Sequence, residues 1–209
     1  MDVTSFKKLP LLGIIRGLDV EDTEDFLEHV ISAGLKSIEV TMNTPDVSRI
    51  IPEMRRISNG RLSIGAGTVI TKDQLKTALD AGAEFIVMPS LVEDVVSHCV
   101  DKKIPVFPGA FTPNEVLRAW NAGATMVKVF PCGMFGPKYI KELKGPLDKV
   151  KLMAVGEVQL EEIEEYFSAG ASAVAFGESV FKRSWLADKD FLKIKELIEK
   201  YVDAVKRNS

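Results

Sequence analysis

The chain has 209 residues, 46% of them hydrophobic and 27% charged, which is the balance of an ordinary soluble globular protein. A net charge of −3 and a pI near 5.6 give no attraction for nucleic acid or an anionic membrane, and no apolar run approaches the ~20 residues of a membrane span. Cys99 and Cys132 are too few for a disulfide framework and have no metal-ligand spacing, so both are expected to be reduced thiols of a cytoplasmic protein.

The N-terminal MDVTSFKKLP lacks the apolar core of a signal peptide. A first strand follows in LLGIIRG from Leu11. The phrase SAGLKSIEV from Ser32 then reads as a helix end, an Ala-Gly stop, a short linker and a β-branched strand. Glycine just past the last turn supplies the left-handed cap. The phrase returns as DAGAEFIVM from Asp80, NAGATMVKV from Asn121 and SAGASAVAF from Ser168. Between its copies lie strands like the first: LSIGAGTVI from Leu62, IPVFPGAFT from Ile104 and VKLMAVGEV from Val150. Helix starts are signalled at Thr71–Gln74 and Thr112–Glu115, both with capping-box spacing, the second with proline at the first helical position. His29 and His98 fall in helical patterns and are expected to be structural. The last segment, DFLKIKELIEKYVDAVKR, places Phe191, Ile194, Leu197, Ile198, Tyr201, Val202 and Val205 on one helical face.

Four pairs of strand types make eight strands, each trailed by a helix. Near-continuous apolar strands suit a parallel sheet covered on both sides. The expected fold is α/β, a single-domain (β/α)8 TIM barrel over residues 1–209. An open doubly wound sheet is the rival, and the regular four-fold doubling favours closure.

Within such a barrel the run Met126-Val127-Lys128-Val129-Phe130-Pro131 is anomalous. One strand face points into the packed interior and the other lies under helices, so Lys128 has no wet side. Burial lowers an amine's pKa, and a free amine attacks carbonyls to give a Schiff base. Glu39, in SIEVTMN, is a second charge near the carboxyl end of a strand, expected across the barrel mouth. Amine and carboxylate together make a nucleophile and a proton shuttle; an ion pair filling the core is the structural alternative. The other strand ends carry Arg16-Gly17, Gly65-Ala66-Gly67-Thr68, Pro89-Ser90, Pro108-Gly109, Gly156-Glu157 and Gly177-Glu178-Ser179. Their exposed amides suit carboxylate or phosphate oxygens.

SIEVTMNTPD, IGAGTV, FIVMPS and VKVFP, in this order and spacing, resemble the 2-keto-3-deoxy-6-phosphogluconate (KDPG)/4-hydroxy-2-oxoglutarate (KHG) aldolase family of small class I aldolases. The resemblance runs from about Leu11 to the last strand. It implies that Lys128 forms the Schiff base and that Glu39 is the general acid/base. It also implies that Thr68 and Pro89 shape a pyruvate pocket beside Phe130, and that Gly156, Gly177 and Ser179 hold the substrate's phosphate. IIRG, MNTP, FGPKYIKELKG and AVG look most like the 2-keto-3-deoxy-6-phosphogalactonate branch, in which Arg16 is a candidate for gripping an acid group. Val155 stands where the gluconate branch carries a threonine, and Asn43 where some members carry an arginine. No metal or organic cofactor is implied, because the imine supplies the electrophile. The partners expected are a 2-keto-3-deoxy acid and pyruvate, with two further copies of the chain in a homotrimer.

Two departures stand out. Glu157 and Glu178 occupy the loops that would hold phosphate, so weakened phosphate affinity and an unphosphorylated substrate, of the KHG or 2-keto-3-deoxy acid type, are an alternative expectation. A barrel isomerase or synthase using Glu39 as base, and a non-catalytic small-acid binding barrel, are the remaining alternatives. A covalent adduct separates the aldolase from the isomerase or synthase, and the presence of both Lys128 and Glu39 argues against a mere binder.

Overall fold

The structure, a computed structural model, describes residues 1–208. Its strands are β1 (Leu11–Ile15), β2 (Ser37–Thr41), β3 (Ser63–Gly67), β4 (Ile86–Val87), β5 (Val106–Phe107), β6 (Gly109–Ala110), β7 (Val127–Val129), β8 (Leu152–Val155) and β9 (Ala173–Phe176). All are parallel, in the order β5-β4-β3-β2-β1-β9-β8-β7-β6. Eight strands were expected from the repeats, and the ninth segment has a simple cause. Pro108 has no N–H, so it interrupts the ladder and divides the fifth strand into β5 and β6. Its carbonyl still accepts the Lys128 N–H at 2.9 Å. Residues 106–110 therefore act as one strand, with β5 paired to β4 and β6 to β7, and the ring closes.

The helices that cover the ring are α2 (Thr23–Ser32), α3 (Val47–Ser58), α4 (Lys72–Asp80), α5 (Glu93–Asp101), α6 (Pro113–Asn121), α7 (Gly136–Lys144) and α8 (Ile163–Ser168). A short α1 (Val3–Phe6) precedes them, and α9 (Arg183–Ala187) and α10 (Phe191–Asn208) follow. The repeated Ala-Gly stop does what its chemistry predicts: Gly34, Gly82, Gly123 and Gly170 have φ of +88°, +91°, +99° and +98°, conformations costly for any residue with a Cβ. Thr112 and Glu115 form the complete capping box of α6. At α4 only half of it forms. The Thr71 hydroxyl accepts the Gln74 N–H, but the Gln74 side chain turns to the Ile70 N–H instead of that of Thr71. In α10 the predicted apolar face is buried apart from the half-buried Leu197.

Strand alternation sorts the apolar residues into two cores. Leu11, Ile38, Val40, Val127, Val129, Leu152 and Val174 point outward under the helices. Leu12, Phe85, Val87, Phe107, Met126, Met153, Val155, Ala173 and Ala175 fill the barrel. Phe6 of α1 plugs its amino end, edge-on to Phe107 with ring centroids 6.0 Å apart. Burying such a ring contributes about 1.5–3 kcal/mol, and here it also keeps the interior dry beneath the site.

Candidate active site

Two ionisable side chains take inward positions above that apolar floor. On β7 the outward Val127 and Val129 leave Lys128 facing in, directly above Met126, and the residue is 7% exposed. Its register partners are Gly109 and Met153. On β2 the outward Ile38 and Val40 likewise turn Glu39 inward, at 1% exposure. The two strands are opposite each other: β2 and β7 lie four steps apart along β2-β1-β9-β8-β7. The expected juxtaposition across the mouth is therefore present.

Room for the carboxylate comes from a neighbouring strand. Gly67, paired with Thr41 across the β2–β3 ladder, lies so close that a Cβ on it would sit 2.3 Å from Glu39 Oε1. Glu39 Oε2 is buried with no hydrogen-bond partner. Among the described residues no salt bridge joins Glu39 to Lys128, so a core-filling ion pair is not what the two residues form. Desolvation dominates instead. Burial raises the Glu39 carboxyl to about 7, against the opposing pull of Lys128 and Arg16. Burial also holds the Lys128 amine below the ordinary lysine range; Glu39 opposes this and Arg16 adds to it. A carboxyl poised near neutrality can give and take protons, and an amine relieved of its charge is nucleophilic.

The remaining predicted site residues lie in, or just after, the carboxyl ends of the strands. Arg16 is exposed at the end of β1, yet its charge reaches both ionisable groups. Thr68, half-buried at φ +58°, follows directly on β3. Pro89, two residues past β4, lies against Gly109, where a Cβ would meet the Pro89 carbonyl oxygen at 2.1 Å. Phe130, 39% exposed, holds its ring 5.1 Å from Lys128 Nζ and covers Gly156. Val155 faces into the barrel. Gly156, Gly177 and Ser179 are half-buried on the loops after β8 and β9, and Asn43 is exposed after β2.

The two anomalous glutamates do sit on those loops, and both are exposed. Glu178 stands 3.7 Å from Arg183 at the start of α9. That counter-charge partly offsets Glu178, a compensation the sequence pattern does not announce. Also missed were the space Gly67 leaves for Glu39 and a hydroxyl link between the β1 and β2 loops through Thr44. The first was within reach, since Gly67 had been read only as a ligand-facing glycine. The Thr44–Gly17 bond joins residues 27 apart, whose proximity only the folded barrel creates.

A closed parallel barrel with a desolvated amine opposite a neutral-range carboxyl is the framework of a carbonyl-attacking enzyme. The chain matches the family described as KDPG and KHG aldolase over residues 3–197. It is 31% identical, over 95% of its length and 97% of the relative's, to the 2-dehydro-3-deoxy-6-phosphogalactonate aldolase of Escherichia coli strain K12. A solved structure described as "Native KDPGal structure" superposes with a TM-score of 0.89 at 30% identity, covering 96% of each chain. The KDPG aldolase of Legionella pneumophila, whose structure holds "pyruvate captured at low pH as a covalent carbinolamine intermediate", superposes with a TM-score of 0.85 at 25% identity, covering 93% of this chain and 94% of that one. The chain belongs to the KDPG and KHG aldolase family. It is an aldolase, a lyase built on a TIM-type barrel.

Proposed function

We propose that this aldolase cleaves a 6-phosphorylated 2-keto-3-deoxy sugar acid, of the galactonate or gluconate type, to pyruvate and glyceraldehyde 3-phosphate through an imine on Lys128. The observation that carries the proposal is the isolation of the Lys128 amine above an apolar floor with Glu39 opposite. The Lys128 nitrogen adds to the C2 carbonyl to give a carbinolamine. Glu39, protonated, gives its proton to the departing hydroxyl; water leaves and the iminium forms. The Glu39 carboxylate then takes the C4 hydroxyl proton, directly or through one water. The C3–C4 bond breaks, the aldehyde departs, and the electron pair moves into the iminium as an enamine. Protonation at C3 and hydrolysis release pyruvate and restore the amine.

Thr68, Pro89 and Phe130 are assigned to the pyruvate end and Arg16 to an acid group. Asn43 and Val155 flank the sugar chain, and Gly156, Gly177 and Ser179 present amides to the phosphate. Exposure of Glu157 and pairing of Glu178 with Arg183 favour the phosphorylated acid over its unphosphorylated counterpart. Incubation with pyruvate followed by borohydride should fix a stable adduct on Lys128; an adduct on another lysine, or none in active protein, overturns the scheme. Comparing pyruvate release from galactonate- and gluconate-type acids, with and without phosphate, identifies the substrate.

A homotrimer is part of the same reading. Met134 and Phe135 are 72% and 56% exposed, and Phe135 joins Phe111 and Tyr139 in an aromatic group near the mouth. Such a patch suits burial against another copy. Light scattering of wild type and of Met134→Ser/Phe135→Ser should show the trimer and its loss. No helix among the described residues is long and apolar enough to cross a membrane. Two buried free thiols are consistent with a cytoplasmic setting.

A further inference from the structure

The loops that follow β1 and β2 meet at one buried hydroxyl. Thr44, 4% exposed, accepts the backbone N–H of Gly17 on Oγ1 at 3.2 Å. The same Oγ1 lies 3.1 Å from Oγ1 of Thr41, the last residue of β2. The Thr44 N–H donates to the Thr41 carbonyl at 2.8 Å, which ties the turn to the strand that carries Glu39. Gly17 stands at φ +75°, immediately after Arg16, so the course of the chain at Arg16 depends on a residue with wide conformational freedom. A single side-chain hydrogen bond narrows that freedom.

What the bond holds in place is chemically important. Among the described residues Arg16 is the cation besides Lys128 whose charge acts on Glu39, and it acts on Lys128 as well. It also lines a cavity of about 330 Å³ between the β1 loop and α9. The barrel itself does not need the bond: β1 and β2 are already zipped by Gly13↔Ile38, Ile14↔Glu39 and Ile15↔Val40. The Thr44–Gly17 contact lies beyond the ends of both strands, on the catalytic side. A threonine suits this place because its β-branch restricts χ1, fixing where the oxygen points, and because a buried hydroxyl must find partners.

We propose that Thr44 is a positioning residue. Its hydroxyl clamps the Gly17 amide and thereby holds the Arg16 guanidinium beside the Lys128–Glu39 centre, where Arg16 receives an acid group of the substrate. This rests on the imine mechanism proposed above. Thr44→Val keeps the shape and removes the acceptor, leaving Arg16 free to swing; Thr44→Ser keeps the acceptor.

The test measures kcat and KM across pH for wild type, Thr44→Val, Thr44→Ser, Arg16→Gln and Arg16→Gln/Thr44→Val, with thermal unfolding as the control for folding. Loss of one hydrogen bond that orders a charged contact should raise KM of Thr44→Val about tenfold, with kcat changed no more than about twofold. Thr44→Ser should recover most of the loss. The charged groups that act on one another at the centre are Lys128, Glu39 and Arg16, and Asp19, Asp22 and Arg183 line the cavity that Arg16 shares. With Arg16 displaced, Lys128 keeps its proton to higher pH, so the rising limb of kcat/KM in Thr44→Val should move to higher pH. In the Arg16→Gln background, Thr44→Val should add nothing to KM. Equal KM penalties in both backgrounds, or a Thr44→Val protein that is merely less heat-stable with unaltered kinetics, overturn the role. Borohydride trapping separates the two levels. If wild type forms no Lys128 adduct, the imine mechanism and the Thr44 proposal fall together; if the adduct forms and the penalties are independent, only the Thr44 proposal falls.

Discussion

Glu39 and Glu178 are the same side chain at the same end of the same barrel, and they have opposite fates. Glu39 projects inward from the middle of β2, has no ion-pair partner, and is raised to about 7 by burial. Glu178 sits on the loop after β9, open to water, with Arg183 at 3.7 Å. In the first, the low-dielectric surroundings turn a charge into a proton carrier. In the second, water and a counter-ion surround the side chain and screen what it does to its neighbours. Chemistry at this rim thus follows from strand geometry, because only an inward strand position forces a carboxylate out of water. Charges on the loops can tune the site and cannot run the reaction.

The largest effects should come from the inward pair. Lys128→Met removes the nucleophile, so both pyruvate trapping and aldol cleavage should vanish while the fold persists; residual turnover with wild-type trapping chemistry would move the imine elsewhere. Glu39→Gln should lower kcat on the order of 10²–10⁴-fold, the usual worth of a positioned acid/base. It should also change the pH dependence of stability. Between 4.5, the ordinary carboxyl value, and about 7, folded Glu39 keeps a proton that the unfolded chain has lost. Stability of the wild type therefore falls as pH rises through that window, by up to roughly 3 kcal/mol from this group. Glu39→Gln lacks this term, so in thermal unfolding its advantage over wild type should grow from pH 5 to pH 8. A constant difference across that range would contradict the desolvated carboxyl.

Gly67 tests whether geometry, beyond mere presence, matters to Glu39. A Cβ at Gly67 would stand 2.3 Å from Oε1, so Gly67→Ala must push the carboxylate aside. A shift of about 1 Å in a reacting group costs on the order of 10²-fold. That loss should appear in kcat of Gly67→Ala and should nearly disappear when Gly67→Ala is made on Glu39→Gln. Full additivity of the two changes would mean that Gly67 serves the barrel and not the carboxylate.

The same inside–outside contrast explains what could be read from the chain. The repeated Ala-Gly stop announced the helix–strand alternation because a left-handed cap needs glycine, and Lys128 and Glu39 betrayed themselves as charges inside apolar runs. IPVFPGAFT reads as one strand, although proline's missing N–H at Pro108 is the local signal for the division that the structure shows. What stayed hidden were contacts that no local pattern announces: Phe6 sealing the floor and Thr44 holding Gly17, both far apart in sequence, and Arg183 answering Glu178 across a five-residue turn. Phe6 and Thr44 are ordinary residues until closure of the ring brings their partners near, and Arg183 is one until the turn after β9 folds it back. Local pattern records which side of a strand is dry; only closure decides which loops become neighbours.

The smallest predicted effect belongs to that last pair. Arg183 and Glu178 are both exposed, so their attraction is screened and should matter about two- to fivefold at most. Its consequence is nonetheless specific. Arg183→Gln leaves Glu178 uncompensated beside the half-buried Gly177 and Ser179, where the substrate's phosphate is proposed to dock. The expected result is a two- to fivefold fall (about the worth of the pair) in kcat/KM for the phosphorylated acid, with no change for its dephospho analogue. Glu178→Ser in the same background should restore the phosphorylated substrate, because the anion that Arg183 offsets is then gone. Raising the salt to about 1 M shrinks the screening length to about 3 Å and should erase the difference. An equal loss for both substrates would assign Arg183 to the shape of the loop. A loss that survives high salt would mean that Arg183 touches the phosphate itself instead of sparing it from Glu178.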